Sequence, residues 1–420
     1  MTSVAGESWF HDPALQSVLD LLNGEGGEAR IAGGAVRNAL MGLAVADIDI
    51  ATTLLPQLVI ARAEKAGIQA VPTGIEHGTV TLVVDRQPFE VTTLRRDIET
   101  DGRHAKVAFG TDWQADAERR DLTINALYAN RRGEVIDFVG GLADIETQTI
   151  RFIGDAAQRI EEDYLRILRF FRFFAYYGSG RPDAEGLRAC ARAKEKLATL
   201  SAERVWSETK KLLGAADPSR ALLWMRQVGV LTQIVPETEK WGIDSIHPLV
   251  AAERSLGWAP DAVLRLAAIV PPDAARMEEM AKRLKMSKAD AGRLLVWAHA
   301  PVLPDEVTDV GFDRLLYRHG TEGLILRIKL GLAGARAAAE GDPMAMRKSA
   351  RLSVLLKRAQ DYRKPVFPLS GADVVAAGVP AGRRVGEVLK TLEDFWVEHN
   401  FALDRAALST RLDEMIASSL

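Results

Sequence analysis

Two stretches decide how this chain reads: Ala29-Arg30-Ile31-Ala32-Gly33-Gly34-Ala35-Val36-Arg37-Asn38 and, shortly after, Val45-Ala46-Asp47-Ile48-Asp49-Ile50. Ala29 to Ala32 is strand-like and runs into two glycines, followed by a short helix that ends near Gly42. Glycines between a strand and a helix let a ligand approach the backbone, and the helix start offers free N–H groups to phosphate. Arg37 falls in the first turn, within reach of the same phosphate. The second stretch alternates strictly and predicts a strand. Asp47 and Asp49 then share one face while Ile48 and Ile50 face the core. Two carboxylates side by side repel, and the pair makes sense if a divalent cation neutralises them. Glu90, alternating with Phe89 and Val91 on another predicted strand, is a candidate third carboxylate.

Outward from this centre, Asp12 caps a helix with Pro13 at its first position, Leu15, Val18, Leu19 and Leu22 on one face, and Asn23-Gly24 at its end. Thr79 to Val84 and Phe89 to Thr93 predict a hairpin about Asp85-Arg86-Gln87-Pro88. The polar stretch from about Asp97 to Glu118 predicts a long loop. Strand signals become sparse after about residue 153, and from Asp155 the chain reads as helices broken by Gly and Pro. The expected class is α+β, a compact head with a mixed sheet followed by a long helical body.

The chain has 420 residues, of which 26% are charged and 47% hydrophobic, the balance of a globular protein with several domains. Its net charge of −3 excludes a whole-molecule field for nucleic acid, so such a partner needs local patches. The single cysteine, Cys190, excludes a disulfide framework and a cysteine-based zinc site. The start, MTSVAGESWFHD, lacks the features of a signal peptide, and no apolar run is long enough for a membrane span, so a cytoplasmic protein with no membrane partner is expected.

Two further segments carry candidate chemistry. In Arg119-Arg120-Asp121-Leu122-Thr123-Ile124-Asn125-Ala126, Asp121 is placed to cap a helix, Arg120 to hold a phosphate, and Asn125 one helical turn along on the same side. The helix in Glu162-Asp163-Tyr164-Leu165-Arg166-Ile167-Leu168-Arg169-Phe170-Phe171-Arg172-Phe173 puts Asp163 and Arg166 three apart, either as a surface ion pair or as a template for a base. An accepting aspartate beside a donating arginine matches cytosine and adenine, which present an amino group next to a ring-nitrogen acceptor, and refuses uracil and guanine. Arg169 continues the ridge, whereas Arg172 drifts about half a turn from Asp163 at the helical pitch.

Together these residues resemble the class II tRNA nucleotidyltransferases, the CCA-adding enzymes, and their bacterial poly(A) polymerase relatives. The matching pieces are GGAVRN at 33–38 with Gly42, DID at 47–49, TGIEHGT at 73–79, EVTTLRRDIETDGRHA at 90–105, RRDLTINAL at 119–127, DFVGGLAD at 137–144 and EDYLRILRFFRF at 162–173. SAERVWSETKKLL at 201–213, LSGADVVAAG at 369–378 and GRRVGEVLK at 382–390 follow in the family's order. The resemblance implies a catalytic head over 1–153, a neck with the base template over 154–215, a body over 216–340 and a tRNA-binding tail over 341–420. It implies Mg²⁺ on Asp47 and Asp49, with Glu90 in the catalytic set. Nucleotide binding then falls to Gly33, Gly34, Arg37, Arg120, Asp121, Asn125, Asp163, Arg166, Arg169 and Arg172. The implied reaction is attack of the tRNA 3′-hydroxyl on the α-phosphorus of CTP or ATP, without a nucleic-acid template. One departure stands out: the family usually has Arg-Asp where this chain has Arg37-Asn38.

The tail offers a basic surface for the acceptor arm of the tRNA. Arg347, Lys348, Arg351, Lys357, Arg358, Arg363 and Lys364 face a single acid, Asp361. The only His-Asp dipeptide, His11-Asp12, lies at a helix cap, so no metal-dependent phosphohydrolase site is expected. A poly(A) polymerase, an enzyme adding only CC or only A, and an inactive RNA-binding relative stay open as alternatives, as does the oligomeric state. Glu76-His77-Gly78-Thr79 reads like the CCA-adding members, and the 97–118 stretch is not shortened, which favours full CCA addition.

Overall fold

The computed structural model describes residues 2–101, 104–304 and 306–417, with the side chains of 97–107 left aside. The chain forms two units, Met1–Glu239 and Lys240–Leu420.

The first unit is built on β1 (Ala29–Ala32), β2 (Asp49–Thr52), β3 (Gln69–Gly74), β4 (Thr79–Val84), β5 (Gln87–Thr93), β6 (Arg95–Asp101), β7 (His104–Phe109), β8 (Leu127–Ala129) and β9 (Val135–Asp137). Seven of these form one sheet in the order β3-β4-β5-β2-β1-β8-β9, and β6 and β7 pair separately. Only β2 and β5 run parallel. A parallel pair needs a crossover, supplied here by the helix Pro56–Lys65 and by β3 and β4.

Alternation along the strands puts Ile31, Ile50, Val80, Leu82 and Val91 into a core closed by Leu15, Val18, Leu19 and Leu22 of the helix Pro13–Leu22. Each such side chain contributes about 1.5–3 kcal/mol on burial. Asp12 caps that helix through the N–H groups of Ala14 and Leu15, as its position predicts. The β4–β5 turn is tighter than the sequence suggests. Only Asp85 (φ 49°) and Arg86 (φ 67°) lie outside the strands, both left-handed, as a two-residue hairpin turn requires.

The register places the chemistry. Ala32, just before the glycine pair, sits opposite Asp49 on one side and Tyr128 on the other. Asp49 pairs with Glu90, Glu90 with Thr81 and Thr81 with Val71, while Tyr128 pairs with Ile136, so one row crosses all seven strands of the sheet.

Three expectations are corrected. The DID strand begins at Asp49, leaving Asp47 in the extended approach to it, although exposed Asp47 and Asp49 still alternate with Ile48 and Ile50 as predicted. The 97–118 stretch is β6, β7 and the helix Trp113–Glu118, not a loop, because backbone pairing holds a hairpin there without an apolar stripe. RRDLTINAL forms no helix. A 3-10 turn, Thr123–Asn125, leads straight into β8, because pairing of β8 with β1 outweighs local helix formation.

Helices follow β9. Leu165–Tyr177 buries Phe170, Phe171, Phe173 and Phe174, and Ala202–Leu213 carries the 201–213 motif. The second unit is helical throughout its described residues. One of its cores gathers Phe312, Leu316, Leu324, Ile328 and Leu355, another Leu369, Val374, Leu392 and Trp396. Arg265 and Glu253, 1% and 3% exposed, form a fully buried bidentate pair, Nη2 to Oε2 at 2.7 Å and Nε to Oε1 at 3.3 Å.

Candidate active site

The glycine pair is a built cradle. Gly33 has φ 65°, and a Cβ there would meet Asn125 O at 3.2 Å and Arg120 Nη1 at 3.3 Å. A Cβ on Gly34 would lie 3.7 Å from Arg37 Nη2. The turn thus sits between two guanidiniums at the start of the helix Gly34–Leu40, an arrangement suited to phosphate oxygens.

Arg120 is anchored by Asp116, 1% exposed, which also accepts from Arg119 at 2.8 Å and from the Tyr128 hydroxyl at 2.7 Å. Arg37 is buried and donates to neutral oxygens: Asn38 Oδ1 at 2.9 and 3.1 Å, the Tyr177 hydroxyl at 2.8 Å, and Asn125 Oδ1. Burial pushes its pKa down, with Arg172 adding to the effect and Tyr177 opposing it. Asn38 does occupy the expected place beside Arg37, and its amide donates to Ala44 O at 3.0 Å.

Asp47, Asp49 and Glu90 line a cleft of about 490 Å³ together with Ala46, Gln87 and Thr81. Crowding of the Asp49 carboxylate by its surroundings raises its pKa, Arg120 opposes this, and Asp47 adds to it. Glu90 is raised by burial and then by Asp49. Among the described residues no three His, Cys, Asp or Glu side chains converge as a ready metal cage. Two neighbouring carboxylates fit Mg²⁺ nonetheless, because that ion is ordinarily held by one or two carboxylates plus phosphate oxygens and water.

Asp121 is the junction between the cradle and the helix Leu165–Tyr177. It accepts from Leu122 N at 2.9 Å, Asn125 Nδ2 at 3.2 Å and Arg169 Nε at 2.6 Å. Burial alone would raise its carboxyl, but Arg169 and Asn125 hold it at about 2. The 137–144 motif supports this junction from below. Asp137 accepts from the N–H groups of Val139, Gly140, Gly141 and Leu142, and buried Asp144 binds the Thr123 hydroxyl at 2.5 Å.

The Arg166 N–H donates to the Asp163 carbonyl at 2.9 Å, but the two side chains take different partners. Asp163 ends the helix Ala156–Glu162, accepts from Leu165 N at 3.0 Å and binds Arg204 at 2.6 Å. Arg166 is held by Glu162 and by Arg159 O at 2.9 Å. Arg172 pairs with buried Glu208 at 2.6 Å. The expected single helix over 162–173 is broken: Asp163 is extended between the helices Ala156–Glu162 and Leu165–Tyr177, so helical spacing holds for Arg166, Arg169 and Arg172 but not for Asp163. Arg204, Glu208, Tyr177, Asp116 and Tyr128 were not singled out from sequence. The charges on the 201–213 helix were the one available signal for the first two.

The tail stripe is partly spent on internal pairs. Arg351 binds Asp309 at 2.7 Å, Arg358 binds Asp313 at 2.5 Å, Lys357 binds Asp361 at 2.9 Å, and Lys364 lies 4.6 Å above the Tyr317 ring. Arg347, Lys348 and Arg363 are exposed. Among the described residues no helix is long and apolar enough to cross a membrane.

Residues 29–151 match the family described as "Poly A polymerase head domain", and residues 182–241 the family described as "Probable RNA and SrmB- binding site of polymerase A". The mitochondrial CCA tRNA nucleotidyltransferase 1 of Mus musculus is 35% identical over 402 residues, 94% of this chain and 88% of the relative. The CCA-adding enzyme of Bacillus licheniformis is 30% identical over 406 residues, 93% and 95% of the two chains. The crystal structure of the Bacillus stearothermophilus CCA-adding enzyme in complex with CTP superposes with a TM-score of 0.75 at 26% identity, covering 97% of this chain and 98% of that one. With the glycine cradle, the aspartate pair and the neck arginines in one unit and relatives matched along nearly their whole length, this chain belongs to the CCA-adding tRNA nucleotidyltransferase family.

Proposed function

We propose that this protein is a template-independent nucleotidyltransferase that adds CCA to the 3′ end of tRNA from CTP and ATP. The observation that carries this reading is the row that sets Asp49 opposite Ala32, beside Glu90 and within the field of Arg120. The tRNA 3′ oxygen forms a bond to the α-phosphorus, the bond to the β-phosphate oxygen breaks, and pyrophosphate leaves. Gly33, Gly34, Arg37 and Arg120 orient the triphosphate, so positioning and electrostatics carry most of the acceleration. Asp47 and Asp49 would hold Mg²⁺, which supplies positive charge to the attacking and leaving oxygens when bound. Glu90 completes the acidic wall next to Asp49.

Base choice falls to Asp163 and Arg166, oriented by Arg204 and Glu162, with Arg169 and Arg172 fixing the helix beneath them through Asp121 and Glu208. On this reading 1–153 is the catalytic head, 154–215 the neck, 216–340 the body and 341–420 the tail. Arg347 and Arg363 are the tail residues best placed for tRNA phosphates, because Arg351, Lys357 and Arg358 already have carboxylate partners.

The test uses a tRNA transcript lacking its last three nucleotides, with Mg²⁺ and CTP, ATP or both. Two additions with CTP alone and a third only with ATP are expected. A long A ladder would make the protein a poly(A) polymerase, a single A added only to a CC end would make it an A-adding enzyme, and binding without extension would remove catalysis. In the same assay Asp47→Ala abolishes addition with tRNA affinity within about twofold of wild type; retained addition would refute the metal assignment.

A further inference from the structure

The helical unit, Lys240–Leu420, holds a cavity of about 380 Å³, separate from the cleft of Asp47 and Asp49. Its walls are mostly apolar and include the indoles of Trp241 and Trp297 with Pro248 and Leu330; Asp244 and Ser245 add polar groups, and Arg327 enters from the helix Glu322–Ala338. Arg327 Nη2 donates to Ala298 O at 3.1 Å, and its Cζ lies 5.7 Å from the Trp297 ring centre. Its Nε is buried with no acceptor. Burial pushes the guanidinium pKa down, and no carboxylate is close enough to oppose that.

The contrast with Arg265 is instructive. Where this unit buries an arginine for structure, Glu253 matches it bidentately. Arg327 has no such match, and a part-buried cation without a counter-ion is costly to keep. A second hollow of about 210 Å³ shares Arg327 and is lined also by Lys348 and Arg351, with no acid in its wall. Asp244 is the single acid among the residues lining the two hollows, against the three cations Arg327, Lys348 and Arg351, which leaves room for an anion. The rest of the cavity suits a flat ring, because aromatic faces stack on any base and Asp244 and Ser245 can take sugar hydroxyls or a ring amine. The volume is in the range of small-ligand sites.

We infer that this cavity binds one nucleotide unit, with its phosphate on Arg327 and its base against the indoles of Trp241 and Trp297. That chemistry has two sources, a free mononucleotide or a nucleotide of the RNA strand. The full-length protein is titrated with AMP, with inorganic phosphate and with the truncated tRNA, followed by tryptophan fluorescence and calorimetry, in wild type, Arg327→Met and Arg327→Lys.

If a free nucleotide is the occupant, Arg327→Met weakens AMP binding at least tenfold, Arg327→Lys weakens it less, and tRNA affinity stays put. If the RNA supplies it, tRNA affinity falls about tenfold in Arg327→Met while AMP titrations coincide. Removing an unmatched charge should leave amide hydrogen exchange in the helical unit at or below the wild-type rate. Trp241→Ala, at a 40% exposed position, gives the same readout without touching the core. Affinities for AMP and tRNA within twofold of wild type in both Arg327→Met and Trp241→Ala would overturn the inference.

Discussion

Replacing Asp121 with asparagine keeps the shape and removes the charge. The amide oxygen can still accept from Leu122 N and Asn125 Nδ2, but the NH2 group then faces Arg169 Nε, donor to donor, so the ion pair is lost and its hydrogen bond with it. A carboxyl held at about 2 rather than its ordinary 3.8 contributes about 2 kcal/mol of stability at neutral pH. The folded value lies below the unfolded one, so this stability is fully present above about pH 5 and is lost as pH falls through about 2. At pH 3 roughly half of it remains. The chain has two units, so a single unfolding midpoint is not the right observable. Amide hydrogen exchange resolved by segment is. In Asp121→Asn the amides of 119–129 should exchange roughly thirtyfold faster than wild type at pH 6, with the ratio shrinking several-fold at pH 3. The helical unit should be unchanged. A ratio under threefold at pH 6, or one that does not shrink in acid, would refute the assignment of Asp121 as the charged tie between the cradle and the helix Leu165–Tyr177.

Three further outcomes are expected. Asp163→Ala should cut the preference for CTP and ATP over UTP and GTP at least tenfold in single-turnover extension, and Arg204→Ala should do so more weakly; unchanged selectivity in Asp163→Ala removes the template. Glu253→Gln removes the charge paired with the buried Arg265 and should destabilise the helical unit by about 3–5 kcal/mol in denaturant unfolding, whereas replacing both residues by apolar ones of similar volume should cost far less. Arg86→Gly relieves a left-handed residue in the β4–β5 turn and should stabilise the first unit by about 0.5–1 kcal/mol; destabilisation would contradict the turn geometry.

The residues of the site were legible because their chemistry is local. A glycine pair after a strand, two aspartates with one isoleucine between them, and an aspartate three before an arginine are patterns of a few consecutive residues. Their partners were not legible, because partnership is set by tertiary packing. Arg37 meets Tyr177, Asp121 meets Arg169, Asp163 meets Arg204 and Arg172 meets Glu208 across sequence separations that no periodicity reports. The same cause explains the misread segments. RRDLTINAL has a capping aspartate, but Asp121 binds Leu122 N and Arg169, and β1 claims the following residues. The hairpin of β6 and β7 lacks an apolar stripe because its stability comes from backbone pairing, which composition does not display.

Register decides most of all. Sliding β2 by one residue against β1 would set Asp49 opposite Ile31 and turn it to the face that now buries Ile50, while Ile50 would enter the cleft. An uncompensated carboxylate in that core would cost several kcal/mol. The apolar positions that make Ile48 and Ile50 strand-like are thus also what fixes Asp47 and Asp49 outward, beside the glycine turn. The outward placement of Asp47 and Asp49 is held by the hydrophobic alternation around them, and a substitution such as Ile50→Thr should act on nucleotide addition through register before it touches any charged group.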